Sequence, residues 1–127
     1  MDERTRRALQ IYTDEAQERI QAVESGLLEM ERLGDSASRE LVNNVFREAH
    51  SMKAGANLLG LTNIESLTHR LETVLDEMRF GRLSPSTHVM TDMLEGVDVL
   101  KDMLAAPETS NMTDISQVEE TLAGWAS

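Results

Sequence analysis

The chain contains no cysteine. That excludes a disulfide framework, thiolate catalysis and cysteine-ligated metal centres, and the simplest compartment is the cytoplasm. Aromatic residues make up only 3% of the 127 positions, and there are two prolines and seven glycines. Sheets draw on aromatic and β-branched side chains, so this composition points to helices. Cations are also scarce: 12 Lys and Arg stand against 23 Asp and Glu, a net charge of −11. Such a surface repels phosphate backbones and anionic lipids, which argues against nucleic acid and membrane partners. No apolar run approaches the roughly 18–20 residues of a spanning helix. The opening "MDERTRRALQ" lacks the apolar core of a signal peptide.

What is abundant is apolar spacing by threes and fours. Leu9, Tyr12, Ala16, Ile20, Val23, Leu27 and Met30 stripe a first helix over about 4–33, ended by Gly34. Val42, Val45, Ala49, Met52, Ala56 and Leu59 stripe a second over 38–59, closed by Gly60. Thr62 and Glu65 read as a capping box that opens a third helix over 63–80, striped by Ile64, Leu67, Leu71, Val74 and Met78. Ser84 reads as an N-cap with Pro85 at the first helical position of a fourth, 85–105, striped by Met90, Met93, Val97, Leu100 and Leu104. "APETSNMT" reads as a linker. Ile115, Val118, Leu122 and Trp125 predict a short fifth helix over 114–125 that docks through Trp125. The expected fold is all-α: an up-down four-helix bundle with a short fifth C-terminal helix, in one domain over 1–127. The eight methionines read as flexible core filling.

The polar residues of interest lie off these stripes. At about 100° per residue, His50 stands roughly 130° from the apolar centre of its helix, so it is not a core histidine. Lys53 follows at i+3 and the small Ala54 at i+4, with Gly55 next. A cation and bare backbone beside an imidazole suit a histidine that something large must reach. On the third helix His69 and Glu72 are i, i+3 neighbours. Folding the hairpin at Leu61 sets His50 level with Glu72, about 16 Å from the turn, and Lys53 level with His69, about 12 Å from it. His50 and Glu72 are offset from their cores in the same rotational sense. Both therefore lean into the shared groove or both lean away, and phase does not choose.

Contact would support a definite chemistry. A carboxylate that accepts the Nδ1 proton selects one tautomer and leaves Nε2 as a better nucleophile. Lys53 would balance the charge of a phosphoryl group arriving there. A three-ligand zinc site of His50, His69 and Glu72 is disfavoured, because it lacks the known helical ligand spacings and Lys53 repels a metal. His88 reads as an ordinary surface histidine.

The segments "HSMKAGANLLG" and "THRLETVLDEMRFGRL" resemble the histidine-containing phosphotransfer (HPt) family, nearest its representatives at the N-terminus of CheA-type chemotaxis histidine kinases. The family pattern H-S-x-K-G-G is met except that Ala54 replaces the first glycine. Asn57 also stands where Gly or Ser is usual. The resemblance implies that His50 is the phosphorylated residue, that Glu72 holds its Nδ1, and that Lys53 and His69 flank the site. It implies two partners: an ATP-binding kinase domain and the CheY-like receiver domains of response regulators. It implies no cofactor in this domain, with ATP and Mg held by the separate kinase domain. The chain then reads as the N-terminal piece of a longer kinase. A freestanding phosphotransfer protein and a non-catalytic helical adaptor are the alternatives.

Overall fold

A computed structural model of the protein describes residues 1–126. Its helices are α1 (Glu3–Leu33), α2 (Arg39–Leu58), α3 (Thr62–Arg79), α4 (Thr87–Ala105) and α5 (Ser116–Ala123), with no strand among the described residues. The four long helices close a ring. α1 packs on α2 and α4, α3 packs on the same two, and α5 lies against α3 and α4.

The stripes read from the sequence form the core. Ala16, Ile20, Val23, Leu27 and Met30 of α1 are buried, as are Val45, Ala49, Met52 and Ala56 of α2. The stripes of α3 and α4 are buried throughout, while Leu9 and Leu59 are only half-buried. Each fully buried Leu, Val, Ile or Met contributes about 1.5–3 kcal/mol. This apolar face, rather than helix propensity, holds the elements together. No helix of the described residues is long and apolar enough to cross a membrane.

Helix ends differ from the sequence reading where distant groups compete for them. Thr62 and Glu65 do not form a capping box. Leu61 occupies the N-cap of α3 without a side-chain bond, and Thr62 is already helical. The reason lies in the preceding turn. Gly60, at φ 70°, lets Leu61 N–H reach back to Ala56 C=O at 2.9 Å, which buries Leu61 at the junction. Glu65 accepts instead from Asn57 Nδ2 at 2.7 Å. The Asn63 N–H is met by Asn111 Oδ1 from far along the chain, at 3.2 Å.

Ser84 likewise does not cap α4. Its hydroxyl donates to Asp35 at 2.5 Å in the α1–α2 connection, and Pro85 is buried, so α4 starts later, at Thr87 with Ser86 before it. The expected linker is not extended. Pro107–Met112 is a 3₁₀ segment tied to α3, with Asn63 Nδ2 donating to Ser110 and Thr113 carbonyls. α5 is shorter than the expected 114–125. Trp125 lies beyond its end and docks as expected, its indole N–H donating to Asp92 Oδ2 of α4 at 2.8 Å.

Candidate functional site

The site sits where α2 and α3 face each other. His50 and Glu72 lean into the shared groove, which resolves the ambiguity that helical phase leaves open. His50 Nδ1 lies 2.7 Å from Glu72 Oε2. The imidazole is 59% exposed while the carboxylate is only 5% exposed. A carboxylate can only accept, so Nδ1 is the protonated nitrogen of the neutral ring. Nε2, on the opposite edge, keeps its lone pair.

Lys53 supplies the charge that makes burial of Glu72 tolerable. Its Nζ is 2.6 Å from Glu72 Oε1. That approach falls outside hydrogen-bond directions, so Oε1 is balanced by charge rather than by a directed bond. Lys53, expected to meet an incoming anion, thus also faces the buried carboxylate. His69 stands at the margin: its Nδ1 is 3.8 Å from Glu72 Oε1 and its side chain is 61% exposed. The four residues come together, with Glu72 at their centre. His88 is exposed near the start of α4, apart from them.

Glu72 is buried because α3 buries a wider face than its stripe suggests. Thr68, Glu72 and Leu75 join the apolar set, since α2, α4 and α5 all pack on this helix. The small residues after His50 divide into two kinds. Ala54 is exposed one turn beyond the imidazole. Gly55 is not there for access. A Cβ on it would lie 2.6 Å from two ring carbons of Tyr12, whose hydroxyl donates to Met52 C=O at 2.9 Å. It lets α1 and α2 approach closely. This corrects the expectation that both residues clear the way to His50.

Phe46 is the residue that sequence reasoning missed. Its ring stacks on His50 with centroids 6.0 Å apart and planes 11° apart. The Arg79 guanidinium covers Phe46 at 4.2 Å. The signal was present, since Phe46 precedes His50 by four residues and so shares its helix face.

Comparison with known proteins agrees with this architecture. The Hpt domain family model matches residues 7–110. The chain is 34% identical to the chemotaxis protein CheA of Salmonella typhimurium over 110 residues, which is 87% of this chain and 16% of that protein. It is 40% identical to CheA of Rhizobium meliloti over 105 residues, 83% of this chain and 14% of that protein. It thus spans about a sixth of these relatives. A solution structure of the histidine phosphotransfer domain of CheA superposes with a TM-score of 0.80 at 27% identity, covering 94% of this chain and 91% of that one. The bundle, the family match and these relatives together make the chain a member of the Hpt domain family.

Proposed function

We propose that this domain accepts a phosphoryl group on His50 Nε2 and relays it within a CheA-type chemotaxis pathway. The observation that carries the proposal is the 2.7 Å bond from an exposed imidazole to a nearly buried carboxylate. The Nε2 lone pair attacks the γ-phosphorus of ATP held with magnesium by a kinase domain. The N–P bond forms, the bond to the ADP oxygen breaks, and ADP keeps that electron pair. Positive charge developing on the ring is met at Nδ1–H by Glu72, which strengthens the hydrogen bond in the transition state. In the second transfer an aspartate oxygen of a receiver domain attacks the phosphorus, and the N–P electron pair returns to Nε2. Lys53 and His69, which both approach Glu72 Oε1, would meet the phosphoryl oxygens in this reading.

The family and its CheA relatives support this reading. In it, the domain works in the cytoplasm beside its kinase and receiver partners, as the phosphotransfer part of a longer kinase. Incubation with a CheA-type kinase domain and labelled ATP tests it. The expected product is an acid-labile, base-stable phosphoprotein. His50→Gln should abolish labelling and leave the melting temperature nearly unchanged, because the side chain is exposed. Labelling that survives in His50→Gln defeats the assignment. A chain that never labels is the result expected of a helical adaptor.

A further inference from the structure

An imidazole exposed by 59% and held by one hydrogen bond retains freedom to swing about its side-chain torsions. Three side chains oppose that freedom in a column. The Phe46 ring lies nearly parallel to the imidazole, at a separation within the offset-stacking range of about 4.5–7 Å. Arg79 covers Phe46, its guanidinium carbon 4.2 Å from the ring centroid. Arg79 is itself held, since Asp76 Oδ1 lies 2.6 Å from its Nη2 and its side chain is only 26% exposed. Its carbonyl accepts from Arg39 Nε at 3.2 Å, which ties the end of α3 to the start of α2. The column thus runs from the far end of the α2–α3 pair to the reactive ring, on the side away from Lys53.

We propose that Phe46 is a positioning residue for His50, clamped in turn by Arg79. The stack holds the imidazole at the angle where Nδ1 meets Glu72 and Nε2 points outward. Phe46 touches neither phosphoryl donor nor receiver in this role and acts through the ring it supports. The proposal rests on the phosphotransfer reading for its kinetic consequence, but not for its structural one.

Two measurements on Phe46→Leu, Phe46→Tyr and Arg79→Gln test it. Nitrogen-15 NMR of the His50 ring reports the balance of Nδ1–H and Nε2–H tautomers. Initial phosphorylation rates at varied domain concentration, with a CheA-type kinase domain, separate kcat from KM. Leucine is a good helix former, so Phe46→Leu should remain folded. It should raise the Nε2–H tautomer and lower kcat about three- to tenfold with KM little changed, the scale of one lost aromatic stack. Phe46→Tyr keeps the stack and should restore both readouts. Arg79→Gln frees the ring without removing it, and should move both in the same direction by less. It serves as the test if Phe46→Leu does not fold. A wild-type tautomer balance in both Phe46→Leu and Arg79→Gln overturns the proposal. So does a rise in KM with kcat intact, which would make Phe46 a partner contact. If the wild-type chain takes up no phosphoryl group, the phosphotransfer reading fails while the tautomer balance still judges the role of Phe46.

Discussion

Glu72 does three things with one carboxylate: it accepts from His50, pairs with Lys53 and stays almost entirely out of water. Each depends on the others. A buried carboxylate without the ammonium would carry a large desolvation cost, and an exposed one would share its acceptor strength with water. Glu72→Ala should therefore act on chemistry more than on folding. Lys53, a quarter exposed, can turn toward solvent once its partner is gone. Phosphorylation by a kinase domain should slow by about 10²-fold, the lower end for an orienting base, because the partner's active site supplies part of the chemistry. The His50 ring should shift toward the Nε2–H tautomer. A wild-type rate in Glu72→Ala would show that the carboxylate does not serve the transfer.

At the scale of the helix, α2 presents two neighbouring small residues to different surroundings. Ala54→Leu adds bulk at an exposed position, leaning back over the turn that carries His50. The fold should be undisturbed, and transfer both to and from His50 should be lost. Gly55→Ala should do the reverse. Alanine gains about 1 kcal/mol in helix propensity over glycine. Its Cβ, however, would press to 2.6 Å from the Tyr12 ring, which its bond to Met52 C=O keeps from moving aside. Overpacking of this kind costs about 1–3 kcal/mol, so the net change should be destabilising. Melting temperature and transfer rate, measured on both variants, should move in opposite patterns. If both variants lose only transfer, Gly55 serves access after all.

For the molecule as a whole, Tyr12 links α1 to α2 through the same contact and makes stability sensitive to alkali. Burial pushes its phenol from 10.0 up to about 12. The folded state thus holds this proton more tightly than the unfolded chain. The corresponding stability, on the order of 2–3 kcal/mol, is fully present below pH 10 and is lost as the pH rises to about 12. Denaturant titrations at pH 9 and 12 should show that loss in the wild type. Tyr12→Phe should start about 1 kcal/mol less stable, from the missing hydrogen bond, and show a correspondingly smaller loss over the same interval. Equal alkaline losses in the two proteins would place the titrating group elsewhere. The C-terminal segment belongs to this scale too. Asn63, Asn111, Asp92 and Trp125 fasten it to α3 and α4, turning a stretch that reads as a linker into a brace for the helix that carries Glu72.

The sequence alone determined the helices and their buried faces, because both follow from local periodicity. A stripe at steps of three and four states which side of a helix is apolar, and Val45, Leu67 or Met93 needs no distant neighbour to reveal it. The same arithmetic put His50 off its stripe and level with Glu72 across the hairpin. Tertiary packing decided the rest, because it depends on signs and competitions that no local pattern encodes. Whether His50 and Glu72 turned toward each other depended on which sides of α2 and α3 met. Whether Thr62 and Ser84 capped helices depended on Asn57 engaging the Glu65 carboxylate and on Asp35 engaging the Ser84 hydroxyl. The role of Phe46 depends on Arg79, from the end of α3, meeting the ring that also stacks on His50.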